Sequence, residues 1–146
     1  APSECDWAAD IINEIINSFP NLKFSLHICG GNAHRKRGYF GRYTEMLEGL
    51  KKLKVHEIHL EHCTLHYNML DVFNDWKFDG ILSFGVIDQR TDEIETIEQI
   101  HERILPVLKY FEKNKILISS ECGFGHVPLD ITRAKLGVLV EAAKKY

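Results

Sequence analysis

Residues 23–31 read Lys-Phe-Ser-Leu-His-Ile-Cys-Gly-Gly, and this stretch decides the fold class. Phe24, Leu26 and Ile28 alternate with more polar residues, which is the pattern of a β-strand, and the glycine pair ends the strand in a loop. An amphipathic helix is predicted before it, over Asp6–Phe19, because apolar residues recur there at steps of three and four. The chain therefore begins with a helix followed by a strand.

The same alternation of helix and strand continues to the end of the chain. Apolar periodicity predicts further strands over 55–61, 80–87 and 115–120, and further helices over 43–53, 65–76, 97–111 and 129–145. Thr96 and Gln99 fit a capping box that opens the third of these helices. Strands separated by helices favour a parallel sheet, because each parallel crossover needs a dozen or more residues.

The spacing of the predicted strands fits half of a (β/α)8 barrel. The strands end near four residues: Cys29, Glu61, Asp88 and Cys122. Their separations match the roughly 250 residues that eight units of such a barrel occupy. Four units cannot close a ring and leave two unpaired edges. We predict an α/β fold in which residues 1–146 form a single domain, half of a TIM-type barrel, with an open flavodoxin-like sheet as the alternative.

Composition and charge exclude several classes of partner. The 146 residues are 45% hydrophobic and 27% charged, which is typical of one soluble, core-forming domain. A formal net charge of −3 gives no attraction to nucleic acid or to an anionic membrane. No run approaches the roughly 18 apolar residues of a spanning helix, and Ala1–Cys5 does not resemble a signal peptide. We expect a cytoplasmic protein that binds neither nucleic acid nor membrane.

Possible metal ligands stand at the predicted strand ends. His27 and Cys29 are two residues apart, so the alternation of a strand points both side chains to one face. Glu61 ends the second strand and Cys122 follows the last one, where parallel α/β folds place their sites. One histidine, two cysteines and a carboxylate suit Zn²⁺. Singly, each residue has an alternative interpretation as an ordinary core side chain, but ligands on three strand ends favour zinc.

Four stretches of the chain together resemble one superfamily. They are His27–Asn32, which reads HICGGN, the pair Leu60-Glu61, residues 85–88, which read GVID, and residues 121–124, which read ECGF. In order and spacing they are similar to the carboxyl-terminal catalytic half of cobalamin-independent methionine synthases. Relatives of these enzymes include the methylcobalamin:coenzyme M methyltransferases and epoxyalkane:coenzyme M transferase. The resemblance extends from about Phe24 to the end of the chain.

The resemblance implies a fold, a cofactor and a reaction. The implied fold is a (β/α)8 barrel, and the implied zinc ligands are His27, Cys29 and Cys122, with Glu61 as the fourth in members similar to methionine synthase. Zinc lowers the pKa of a bound thiol, so that the thiol attacks a methyl or alkyl donor as thiolate. The expected partners are this thiol, the donor, and a second barrel half from the same or another chain.

Three further positions concern the substrates. Asp88 is a candidate for holding a substrate amine or relaying a proton, and its alternative is a solvated carboxylate that caps a loop. Asn32 is a candidate for a substrate contact through its amide, although a Gly-Gly-Asn stretch is equally a turn. Arg90 stands where methionine synthases typically have the histidine of Asp-Ile-His-Ser-Pro. The basic stretch 34–37 reads HRKR and is expected to be a solvated loop, with attraction of a phosphate, a sulfonate or a polyglutamate tail as the alternative.

The favoured function is zinc-dependent transfer of a methyl or alkyl group to a thiol, and two alternatives remain open. One is a lyase similar to uroporphyrinogen decarboxylase, which shares the fold but not the zinc. The other is a half-barrel subunit for binding or assembly, without turnover of its own. The metal content of the purified protein separates the lyase alternative from the favoured function. The size and partner of the native assembly test the alternative of a half-barrel subunit.

Overall fold

A computed structural model describes residues 2–39, 41–63 and 69–145. The helices in these ranges are α1 (Pro2–Ser18), α2 (Leu47–Lys52), α3 (Ile97–Ile104) and α4 (Leu129–Lys145). The strands are β1 (Ser25–Ile28), β2 (Glu57–Leu60), β3 (Ile81–Ile87) and β4 (Ile116–Ser120). Short 3-10 helical turns connect several of these elements.

The four strands form one parallel sheet in the order β1-β2-β3-β4. Each strand pairs with its neighbour in sequence, as consecutive units of a barrel do. A flavodoxin-like sheet has the order 2-1-3-4-5, in which the first strand is internal. The predicted parallel half-barrel is therefore confirmed, and the flavodoxin-like alternative is wrong.

The helices follow the predicted periodicity, but several of them are shorter than predicted. The capping box is present, since the Thr96 hydroxyl accepts from the Gln99 amide and the Gln99 side chain accepts from the Thr96 amide. The predicted helix over 97–111 is α-helical only to Ile104 and continues as a 3-10 turn, because Pro106 has no N–H to donate.

The other two internal helices also differ from the prediction. The helix predicted over 43–53 begins as a 3-10 turn at Tyr43–Met46 and becomes α-helical in α2. Of the helix predicted over 65–76, residues 65–68 lie outside the described residues, and Met69–Asn74 is a 3-10 helix.

The two faces of the sheet differ in polarity. The face that packs against the helices carries fully buried Ile58, Leu82 and Phe84, and each large apolar side chain buried in this way stabilises the fold by roughly 1.5–3 kcal/mol. Strand alternation places polar residues on the opposite face: Ser25, His27, Glu57, His59, Ser83 and Ser119. The sheet therefore has an apolar outer side under the helices and a largely polar inner side, on which Ile81 and Leu117 are the exposed apolar residues of the described strands.

Apolar surface remains exposed on α1, the helix that precedes the first strand. Trp7, Ile11 and Ile15 lie on one face of α1 at steps of four residues, and they are 67%, 38% and 50% exposed. α1 packs against α2 on its other side. In the described ranges β1 and β4 each pair with only one strand. No helix in the described part of the chain is both long enough and apolar enough to cross a membrane.

Candidate metal centre

Three of the four predicted ligands lie together at the carboxyl end of the sheet. His27 is on β1, Cys29 follows that strand, and Cys122 follows β4. The possible ligand atoms of these three residues all lie within 4.8 Å of one another. β1 and β4 are the outer strands of the sheet, so the sheet must curve to bring their ends together. One imidazole and two thiols at this spacing fit the donor preferences of Zn²⁺.

The polar groups of the surrounding loops act on both sulfur atoms. The Gly31 amide donates to Cys29 Sγ at 3.4 Å, and the Gly123 amide and the Asn32 side chain act to lower the pKa of the Cys122 thiol. Burial, together with the nearby Cys29, nevertheless raises the pKa of Cys122 above its ordinary value. Without a cation the Cys122 thiol therefore holds its proton at neutral pH, and a dication at this point would favour the thiolate.

Glu61, the fourth predicted ligand, is fully buried beside these donors and is not one of the group. Its Oε2 accepts from the Gly30 amide at 2.9 Å and lies 3.2 Å from Arg37 Nη1. Its Oε1 accepts from the Asn32 side chain. Glu61 as a zinc ligand stays a prediction. Asn32 donates to Glu61 in this structure, and its predicted contact with substrate stays a prediction.

The loop after β1 differs from the expected solvated loop. The side chain of Arg37 is only 6% exposed, because it pairs with the buried Glu61, so the expectation is wrong at this residue. Arg35 lies at the surface and pairs with Asp92 at 2.7 Å. The His34 ring lies 4.5 Å from that of His126, a contact between the loops after β1 and β4.

Tyr43 connects the ends of β1 and β2. Its hydroxyl donates to the Ile28 carbonyl at 3.1 Å and accepts from the Glu61 amide at 3.0 Å. Burial raises the pKa of Tyr43, so the hydroxyl stays a neutral donor. This bridge fixes the backbone on which Cys29 and Glu61 stand.

Asp88 is held by its neighbours rather than exposed to solvent. Its Oδ1 accepts from the Arg90 amide at 2.8 Å and lies 3.2 Å from Arg90 Nε. Arg90 also lies 3.6 Å from the buried Glu121. The Asp88 amide donates to Glu95 at 2.7 Å. The alternative interpretation is right that this carboxylate caps the loop, since it accepts from the Arg90 amide, but the side chain is only 17% exposed. The catalytic and substrate-binding roles of Asp88 stay predictions.

A buried network of charges supports this strand end, and the sequence analysis missed it. Glu95 Oε2 lies 2.9 Å from the Nζ of Lys135, a fully buried residue of α4, and Glu95 Oε1 lies 3.4 Å from Arg103. Burial opposes ionisation of Glu95, but hydrogen bonds from the Asp88 amide and from Lys135 hold its pKa below the ordinary value. The network anchors the loop after β3 to α3 and α4.

Two histidines near the site are neutral at pH 7. Burial, with a smaller contribution from Arg103, lowers the pKa of His62 to about 4, and its ring stacks on Phe84 at 4.4 Å. Burial also lowers the pKa of His59, and the neighbouring His27 adds to the effect. Neither residue therefore adds positive charge to the donor group.

Sequence comparison finds one family that matches nearly the whole chain. The family described as "Cobalamin-independent synthase, Catalytic domain" matches residues 7–145. The methionine synthase of Sulfolobus acidocaldarius is 32% identical over 133 residues, which are 91% of this chain and 35% of that protein. The methionine synthase of Saccharolobus islandicus (strain L.S.2.15 / Lassen #1) is 30% identical over 141 residues, 97% of this chain and 39% of that protein. The chain thus spans little more than a third of these relatives.

Structural comparison shows the same fold. A B12-independent methionine synthase from Shewanella sp. W3-18-1 superposes with a TM-score of 0.74 at 24% identity, over 97% of this chain and 45% of that one. A putative vitamin-B12-independent methionine synthase from Listeria monocytogenes gives a TM-score of 0.67 at 22% identity, over 94% and 39%. Because the family match extends over nearly the whole sequence, the chain belongs to the family of cobalamin-independent synthase catalytic domains.

Proposed function

We propose that this chain supplies the metal-binding half of an enzyme that transfers a methyl or other alkyl group to a thiol. The observation that carries the proposal is the group formed by His27, Cys29 and Cys122, whose donor atoms lie within 4.8 Å of one another at the carboxyl ends of parallel strands. Membership of the family supports it, as do relatives named methionine synthase. A pair of cysteines in this group favours a metal centre over the lyase alternative.

In the proposed site His27, Cys29 and Cys122 hold Zn²⁺, and Glu61 is the fourth ligand. Zinc bound there would lower the pKa of the substrate thiol, so that the thiol reaches the alkyl donor as thiolate at neutral pH. The Gly31 amide helps to hold the Cys29 sulfur in place. Arg37, 3.2 Å from Glu61 Oε2, balances the charge of this carboxylate.

We propose that Asp88, a positioned carboxylate at the carboxyl end of β3, binds a polar group of the substrate. Arg90 orients this carboxylate through two contacts to Oδ1. Because Arg90 stands where methionine synthases typically have a histidine, proton transfer at this position must use another group. An arginine stays protonated at all physiological pH values and does not relay protons.

We propose that the remaining barrel units, from the same or another chain, cover the open sides of this half-barrel. Three observations support this: the unpaired edges of β1 and β4 in the described ranges, the exposed apolar stripe of α1, and relatives more than twice as long. Parallel sheets are normally covered, and unpaired edges promote association. Residues 1–146 would then be one domain of a larger assembly. The cytoplasmic location of the protein stays a prediction.

The isolated chain is expected to associate and to show no thiol alkylation by itself. Sedimentation velocity and activity should be measured on the same sample, with methyl donors and several thiols. Ile15→Lys, in the exposed stripe of α1, should weaken association, while Glu14→Lys at the neighbouring exposed position serves as the matched control. A stable monomer at micromolar concentration that still alkylates a thiol would contradict the requirement for a second half.

Zinc affinity is expected to fall steeply as the pH decreases from about 7 to 5. Thiol and imidazole ligands must lose their protons before they bind metal, and each proton released weakens apparent affinity about tenfold per pH unit. Two thiols alone would therefore reduce the affinity by about 10⁴-fold over this range. Competition with a chromophoric chelator at several pH values measures the change. A flat profile would show that oxygen ligands, rather than Cys29 and Cys122, hold the metal.

A further inference from the structure

We infer that His59 is a positioning residue that holds the His27 ring and the Cys122 segment at a fixed separation and thereby sets the affinity of the centre for zinc. The inference rests on the proposed zinc site. His59 is not itself one of the three grouped donors. It contacts the His27 ring on one side of the group and, on the other, the segment of β4 that leads to Cys122.

The His59 side chain connects the first strand of the sheet to the last. Its ring centroid lies 4.3 Å from that of His27, with the two planes inclined at 39°. Its Nε2 lies 2.8 Å from the Ser120 carbonyl oxygen and 2.9 Å from Ser119 Oγ. A carbonyl oxygen only accepts, so Nε2 carries the hydrogen. The His59 ring therefore packs on His27, a possible metal ligand on β1, and donates a hydrogen bond to the Ser120 carbonyl on β4.

Ser120 extends this connection to Cys122. Its hydroxyl donates to the Cys122 carbonyl at 2.8 Å, while its own carbonyl accepts from His59. The path from His27 through His59 and Ser120 to Cys122 is thus continuous. Through this path a displacement of the His59 ring would change the distance between the imidazole and thiol donors.

Gly85 makes the crossing from β2 to β4 possible. These strands are not neighbours in the sheet, since β3 lies between them. A Cβ at Gly85 would lie 2.8 Å from Glu121 Cα and 3.1 Å from the Leu60 carbonyl oxygen. No side chain fits between these two backbones, so the ends of β2 and β4 can approach each other across β3. His59 occupies the inner face of the sheet on the β2 side of this gap.

The test compares His59→Phe with His101→Phe in the purified protein. His59→Phe retains a ring against His27 but removes the N–H donor to Ser120. His101 is the matched control, because its Nε2 lies 3.3 Å from the Ala142 carbonyl oxygen between α3 and α4, away from the centre. The readouts are zinc affinity by chelator competition, the visible spectrum of the Co²⁺-substituted protein, and thermal unfolding to verify the fold.

His59→Phe is expected to weaken zinc binding about 10- to 100-fold and to alter the Co²⁺ spectrum, as changes in groups that orient metal ligands do. His101→Phe should leave both unchanged. Folded His59→Phe with wild-type affinity and spectrum would overturn this inference alone. Wild-type protein that binds no zinc would overturn the proposed zinc site with it. If His59→Phe does not fold, Ser119→Ala decides, with an expected loss of severalfold and no change as the opposing result.

Discussion

Replacing Cys122 by serine, or His27 by alanine, is expected to remove zinc from the protein. His27, Cys29 and Cys122 form one group of possible ligands. Either substitution leaves only two residues of this group to bind the metal. A serine hydroxyl remains protonated at neutral pH and does not replace a thiolate, and alanine offers no donor at all. Elemental analysis after dialysis should find about one zinc per chain in the wild-type protein and almost none in either variant.

Cys5→Ser is the matched control for these ligand variants. Cys5 is a half-buried cysteine of α1 that lines an apolar groove against α2, and it is not one of the grouped donors. Its replacement removes a thiol of similar burial and should leave the zinc content unchanged. Full retention of zinc in both Cys122→Ser and His27→Ala would instead support the interpretation of these residues as ordinary core side chains.

Glu95→Gln is expected to destabilise the fold by about 3–5 kcal/mol, because it leaves the ammonium of Lys135 buried without a charged partner. Lys135 is fully buried, and its Nζ lies 2.9 Å from Glu95 Oε2. A glutamine can still accept from the Asp88 amide, so the hydrogen bond to the loop need not be lost. Urea unfolding followed by circular dichroism measures the change in the free energy of unfolding.

Two further variants test whether charge is the cause. Adding Lys135→Met to Glu95→Gln removes the unpaired charge and should restore part of the stability. Glu141→Gln breaks a pair of the same kind at the surface, 2.8 Å from Lys144, and should cost less than about 1 kcal/mol. A loss below about 1 kcal/mol for Glu95→Gln, similar to that surface control, would show that Lys135 does not depend on this carboxylate.

The fold was predictable because its determinants are local. Apolar alternation around Leu26 and Ile28 indicates a strand, and helical segments of sufficient length between strands require parallel pairing. Strand ends of one parallel sheet share an edge, which explains why Cys29 and Cys122 could be placed together from spacing alone. The early end of α3 at Ile104 also had a visible signal, since Pro106 cannot continue the α-helical hydrogen bonds.

The partners of buried charges were not predictable, because they depend on residues distant in sequence. Arg37 belongs to a basic run that resembles a solvated loop, and only its contact with Glu61 explains its burial. Lys135 stands in a helix where lysine is normally exposed, and its partner Glu95 lies on a loop forty positions earlier. In a single sequence these charges cannot be distinguished from surface charges.

The distribution of the donors over the first and last strands has a consequence for biosynthesis. During synthesis His27 and Cys29 emerge from the ribosome almost together, whereas Cys122 follows only after β4. A product that ends before β4 lacks the third donor, however well its earlier strands fold. Zinc at the proposed centre is therefore expected only in folded products that include Cys122, and its measurement in a cell extract would separate these from products that end earlier.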